Sequence, residues 1–225
     1  TGTDIGYLLV FDKSKDKTVE ITKKFQEKDS RTILVQREKN GGVGRAMSSG
    51  YLKALEINSD IVVLIAGDGQ MDPEDMINIV NPVLNEEADY SKGNRFFFEE
   101  SWNIIPHYRY LGNALLSLLT KIASGYWHIA DSQTGYTAIS KKALKTINIK
   151  SIYKSYGVPN DILIRLNIYN FKVKDVPIRP VYNQGEKSGI KLRKMIPAAS
   201  WLLLKGFFKR LWRKYVIRDF HPLIY

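Results

Sequence analysis

The sequence predicts an α/β fold, a mostly parallel sheet flanked by helices. Two observations carry this expectation. Short runs of β-branched and apolar residues alternate with stretches of helical periodicity, joined by short connections. The runs also end abruptly in acids, amides or glycines, as strands do whose carboxyl ends open onto ligand-holding loops.

Ile5-Gly-Tyr-Leu-Leu-Val-Phe11 reads as the first strand, followed by a polar loop, Asp12-Lys-Ser-Lys-Asp-Lys-Thr18. A helix from about Asp16 to Lys28 places Val19, Ile21 and Phe25 on its apolar face. Thr32 to Gln36 forms the second strand, and Arg37-Glu-Lys-Asn-Gly-Gly-Val-Gly44 a glycine-rich loop. The next helix is the clearest, with Val43, Ala46, Met47, Gly50, Tyr51 and Ala54 recurring at helical spacing. Ile61-Val-Val-Leu-Ile65 is a buried strand running into Asp68, Gln70 and Asp72. Pro73 opens a helix behind Asp72 as N-cap, with Asp75 placed to complete a capping arrangement. Further on, Leu111 to Ala123 is a helix with Leu111, Leu115, Leu118, Leu119 and Ile122 in one stripe, either the wall of a lipid site or core.

The chain has 225 residues, no cysteine and a net charge of +11. That length suffices for a substantial core, and disulfides and thiolate metal sites are excluded. No apolar run is long enough to span a bilayer. From Glu186 to Tyr225, ten Lys and Arg face two acids, so this tail carries +8 of the total. Trp201, Leu204, Phe208, Leu211, Trp212 and Tyr215 lie along one helical face among those charges. Aromatics opposite basic residues describe amphipathic helices at a membrane interface; the alternative is a core helix with a solvated basic face. The charge follows a wide apolar face and matches no nucleic-acid recognition motif, so nucleic acid is not expected as a partner.

Asp68, Gln70 and Asp72 are oxygen donors spaced to suit a hard divalent cation carrying phosphates, or else an acidic turn that caps the next helix. Several ordered motifs together resemble the family-2 glycosyltransferases of the GT-A fold, and more narrowly the polyprenyl-phosphate sugar transferases of the dolichyl-phosphate mannose synthase type. Val10-Phe-Asp-Lys-Ser-Lys-Asp-Lys-Thr18 is similar to the family's acidic motif at a strand end. Asn40-Gly-Gly-Val-Gly-Arg-Ala-Met-Ser-Ser-Gly50 is similar to its glycine loop and helix, and Ala66-Gly-Asp-Gly-Gln70 to its metal motif. Lys92-Gly-Asn-Arg95, Asp131-Ser-Gln-Thr-Gly-Tyr136, Asn160-Asp161 and Gly185-Glu-Lys-Ser188 follow in the family's order. Phe11 and Ala66 stand where the family usually carries aspartate, and the family's opening strand has no counterpart ahead of residue 1.

The resemblance implies a metal-dependent, inverting transfer of a sugar from a nucleotide-diphosphate sugar, with Mg²⁺ or Mn²⁺ at Asp68 and Gln70. Asp12, Lys39, Gly42, Arg45, Asp131 and Gln133 become the expected contacts to nucleotide and sugar, and Arg95 and Arg109 those to acceptor phosphate. For Asp12 the residue alone suggests a loop-start aspartate accepting from backbone N–H groups. A polyprenyl phosphate is already ionised at neutral pH and needs no base, whereas a saccharide or lipid hydroxyl would need one. Asp161 is the candidate for that base, or simply a favourable acid in a first helical turn. Residues 1–188 are expected to form the catalytic domain and 189–225 a membrane-interface segment, with the protein at the cytoplasmic face of a membrane. A catalytically inactive relative that binds nucleotide or membrane is the reading from a different class. His107, His128 and His221 lack metal-ligand spacing and are expected to be structural or interfacial.

Overall fold

The computed structural model describes residues 4–13, 17–98, 101–179, 181 and 192–218. The Gly185–Ser188 motif and the apolar end beyond residue 218 lie outside them, as do His221 and residues 14–16 of the first polar loop. The chain forms two compact units, one of residues 1–59 with 148–158, the other of 60–147 with 159–225.

In the first unit β1 (Tyr7–Asp12) and β2 (Thr32–Arg37) pair in parallel. Between them runs α1 (Thr18–Lys28), and α2 (Val43–Glu56) follows β2. Most of the periodic face of α2 is buried, with Met47, Tyr51 and Ala54 in the core as Phe11 is, while Val43 at its start is exposed and Ala46 half-buried. The expected apolar face of α1 does not. Ile21 and Phe25 are exposed and Thr22 is the buried residue, its hydroxyl bonded to the Thr18 carbonyl at 2.9 Å.

The second unit holds a four-stranded sheet in the order β3 (Ile61–Leu64), β5 (Thr137–Ser140), β4 (Tyr90–Asn94), β6 (Val173–Pro177). β4 and β6 are parallel, while β5 is antiparallel to both β3 and β4. Three strands therefore share a direction, as in a mostly parallel sheet, and β5 alone reverses it. Against this sheet α3 (Met76–Leu84) packs through Ile79 and Val83 onto Tyr136, Ala138, Val176 and Ile178. The turn before it departs from expectation. Asp72 caps only a 3₁₀ turn, Pro73–Asp75, and the Asp75 carboxylate accepts from the Arg179 N–H at 3.2 Å rather than completing a capping box.

The short α4 (Ser101–Ile104) precedes α5 (His107–Ser124); α6 (Lys141–Thr146) and α7 (Val158–Ile168) follow. A second core joins α5, α7 and α8 (Leu192–Leu211) through Ala123, Ile164, Ile168 and Leu203. The chain continues from α8 as a π-helical stretch, Trp212–Arg218. No helix among the described residues is long and apolar enough to cross a membrane.

The tail is amphipathic in the opposite sense to a packed core helix. Trp201 (66 % exposed), Leu204, Phe208 (61 %), Trp212 and Tyr215 face outward. Three of the basic residues bond back to the second unit, Arg210 from a buried position, Lys214 from a half-buried one and Arg218 from an exposed one. Arg210 donates through Nε to the Ala123 carbonyl at 2.9 Å, Lys214 to Asn167 Oδ1 at 3.0 Å, and Arg218 to the Ile168 carbonyl. These acceptors lie in the last turns of α5 and α7, where orphan carbonyls and the helix dipole favour cations. The stripe of α5 is likewise exposed at Leu111, Leu115, Leu118, Leu119 and Ile122, which removes the core alternative for it.

Candidate functional site

In the first unit the end of β1 and the glycine loop are tied together by Asp12. Its carboxylate accepts from the backbone N–H of Gly41 at 3.0 Å and of Gly42 at 2.8 Å, and pairs with Arg37 Nε at 3.2 Å. This is the geometry of a loop-start aspartate satisfying backbone donors. The glycines have a packing reason too. A Cβ on Gly44 would lie 1.9 Å from the Tyr153 carbonyl oxygen, and Gly44 N–H donates to the Lys154 carbonyl at 3.1 Å. Gly42 has φ +83° and would meet that same Lys154 oxygen at 2.8 Å. No local sequence signal links residues 42–44 to 153–154. Lys39 and Arg45 are exposed beside this loop.

The second unit carries the remaining candidates. After β3 the chain turns through Asp68, whose Oδ1 accepts from the Gln70 N–H at 3.1 Å. Asp68 is exposed, and a Cβ on Gly67 would meet nothing within 4 Å, so the loop has room for a ligand. Among the described residues no three His, Asp or Glu side chains gather into a metal-holding group. At the expected positions, Asp68 and Gln70, protein ligation would come from one carboxylate and one amide, with phosphate and water filling the rest. Magnesium and manganese accept that donor set, so the residues present fit such a cation.

Arg95 follows β4 and forms a two-pronged pair with Asp131, Nε to Oδ2 at 2.7 Å and Nη2 to Oδ1 at 3.1 Å. Asp131 is wholly buried and also accepts from the backbone N–H groups of Gln133 (3.0 Å) and Thr134 (3.3 Å). Burial alone would raise its carboxyl; the Arg95 guanidinium and the Lys92 ammonium outweigh that and hold it below the usual range. Gln133 donates from Nε2 to Asn160 Oδ1 at 2.9 Å. Asn160 precedes Asp161, whose carboxylate pairs with Arg165 one helical turn on at 2.8 Å. Thus Arg95, Asp131, Gln133 and Asn160 form one connected polar group. Arg109, in the first turn of α5, donates to Tyr108 Oη at 3.2 Å. The rings of Phe96 and Tyr110, which follow the two arginines in sequence, meet at 4.8 Å and bring their segments together. His107 stacks on Trp102 at 4.2 Å and His128 bonds the Val173 carbonyl, both structural contacts.

Two ionisable residues here are assigned no role by the sequence, although Lys92 opens the Lys92–Arg95 motif. Lys92 is entirely buried in β4, and Asp175 is its register partner on β6. Asp175 Oδ2 accepts from Ala130 N–H at 2.7 Å, and burial pushes its carboxyl up to about 6.

The model of the family described as glycosyl transferase family 2 matches residues 1–147. A UDP-N-acetylglucosamine–dolichyl-phosphate N-acetylglucosaminyltransferase of Methanococcus voltae is 31 % identical over 189 residues, covering 79 % of this chain and 75 % of its own length. A dolichyl-phosphate beta-glucosyltransferase of Trichomonas vaginalis is 25 % identical over 218 residues, 94 % of this chain and 64 % of that protein. Among solved structures, glucosyl-3-phosphoglycerate synthase from Mycobacterium tuberculosis, in complex with Mn²⁺, UDP and phosphoglyceric acid, superposes with a TM-score of 0.62 at 17 % identity. That match covers 91 % of this chain and 67 % of the other, and shows the GT-A-like fold.

Proposed function

The chain belongs to glycosyl transferase family 2, and from that premise we propose that it moves a sugar from a UDP-sugar to a polyprenyl phosphate at a membrane surface. The observation that carries the acceptor is the similarity to two proteins named for dolichyl-phosphate transfer. The Arg95–Asp131 arrangement supports it chemically. An arginine held by a buried carboxylate is a pre-positioned cation of the kind that recognises phosphate.

In this reading an acceptor phosphate oxygen attacks the anomeric carbon as the bond to the nucleoside diphosphate breaks, inverting the configuration. Arg95 and Arg109 hold the acceptor phosphate. Asp131 orients Arg95, and Gln133 bounds the sugar. Asp12, Lys39, Gly42 and Arg45 border the nucleotide, with Asp12 acting through the loop whose N–H groups it binds. Asp68 and Gln70 would hold a divalent cation, which when bound would supply positive charge beside the diphosphate leaving group. No base is required, because the acceptor arrives ionised. The Asp161–Arg165 pair suits that picture, leaving Asp161 as a positioning residue.

Residues 1–188 supply this chemistry and 189–225 the membrane contact, at the cytoplasmic face. The exposed aromatic face of α8 and the exposed leucine stripe of α5, both in the second unit, support peripheral association.

The test incubates the protein with UDP-N-acetylglucosamine or UDP-glucose, Mn²⁺ or Mg²⁺, and polyprenyl phosphate, and measures sugar in the lipid extract. Metal-dependent lipid product is expected, and Asp68→Ala should abolish it. A normal rate in that variant with metal dependence intact would remove Asp68 from the site.

A further inference from the structure

Lys92 sits in the middle of β4 with no exposed surface, its register partners Thr137 on β5 and Asp175 on β6. An ammonium taken out of water is costly unless its charge is answered. Methionine or leucine would fill the same space without that cost. What surrounds Lys92 gives the reason for it. Its Nζ donates to the carbonyl of Thr134. Burial pulls the ammonium down to about 8, against the opposing pull of Asp131 and Asp175, while Arg95 adds to the depression.

Thr134 closes the turn that carries Asp131. That turn is pinned through four N–H groups: Ala130 N–H on Asp175 Oδ2 at 2.7 Å, Ser132 N–H on Ser117 Oγ at 3.0 Å, and Gln133 and Thr134 N–H on Asp131 itself. Asp131 in turn grips the Arg95 guanidinium through two bonds. Lys92 supplies both the hold on the turn's last carbonyl and a positive charge beside its central carboxylate.

We propose that Lys92 is a positioning residue of the transferase, fixing the 131–134 turn so that the Asp131–Arg95 pair meets the acceptor phosphate in a single geometry. This rests on the reading of Arg95 as a phosphate ligand. Lys92 itself need not touch either substrate.

Lys92→Met and Lys92→Gln test it in the full chain. The core should tolerate loss of the ammonium because Asp175, whose buried Oδ1 has no hydrogen-bond partner among the described residues, can take up a proton when its cationic neighbour goes. With undecaprenyl phosphate in detergent micelles as acceptor, Lys92→Met should raise the acceptor KM about tenfold, the scale of one lost charge-assisted hydrogen bond, and leave the donor KM unchanged. Lys92→Gln retains a donor for the Thr134 carbonyl and should recover most of that loss. Hydrogen exchange of the Gln133 and Thr134 amides should accelerate in Lys92→Met while the β4 and β6 amides keep their protection.

Equal rises in both KM values, equal losses in the two variants, or unchanged exchange in the turn would each overturn the proposal. Exchange is read without any substrate, so it separates the two layers of inference. Faster exchange with an unchanged acceptor KM would leave the turn's support standing and overturn the phosphate role of Arg95.

Discussion

Asp12 and Asp131 are built alike and stand in different surroundings. Each accepts from two successive backbone N–H groups of a turn, and each pairs with an arginine that follows or ends a strand, Arg37 in the first unit and Arg95 in the second. The side chains of the first pair retain 17 % and 18 % of their exposure, whereas Asp131 has none and has a buried lysine beside it. A carboxylate that keeps some contact with solvent shapes a loop at lower cost. A carboxylate in the interior demands compensating cations, and once those are in place it holds its arginine rigidly. In the proposed reading, the difference separates a loop clamp from a pair that presents an arginine to phosphate.

Asp131→Asn should show the largest effect. It leaves Arg95 and Lys92 without their shared counter-charge, and breaking one member of a buried pair costs about 3 kcal/mol of stability, measurable by denaturant unfolding. Asp175→Asn should come next, through pH. The folded-state carboxyl near 6 lies above its ordinary 3.8, so the neutral form is favoured by folding. Relative to Asp175→Asn, the wild-type protein should be most stable below pH 4 and lose up to about 3 kcal/mol as pH rises through 6. A pH-independent difference would contradict the burial of that carboxyl. Asp12→Asn should be mildest, about 1 kcal/mol, because its pair keeps some contact with water and an amide oxygen still accepts from the loop. Equal losses for Asp12→Asn and Asp131→Asn would erase the contrast between the two sites.

Much of this was legible in the residues. The β-branched runs marked the strands, the spacing of Met47, Gly50, Tyr51 and Ala54 marked a packed helix, and acids at strand ends marked the loops. What stayed hidden depends on long-range pairing. Nothing local shows that Lys92 reaches Thr134, 42 residues away, or that the backbone at Tyr153 and Lys154 forces glycine at 44 and 42. Periodicity also fixes a helical face without telling which way it points. In α8 and the π-helical stretch after it, Leu203 and Arg210 turn inward and Trp201 and Phe208 outward, while on α1 Ile21 and Phe25 face solvent. The π-helical continuation lets Lys214 and Arg218 both reach the end of α7, a pattern that a uniform helix read from spacing did not anticipate.

The most direct test of the central claim is a kinetic comparison of Arg95→Ala with the wild-type protein, varying the polyprenyl phosphate and the UDP-sugar in turn. The account predicts an acceptor KM raised by on the order of tenfold or more, with the donor KM unchanged, since a charge-assisted phosphate contact is lost on one substrate alone. A fall in donor affinity with normal use of the acceptor would place Arg95 on the nucleotide sugar and contradict it.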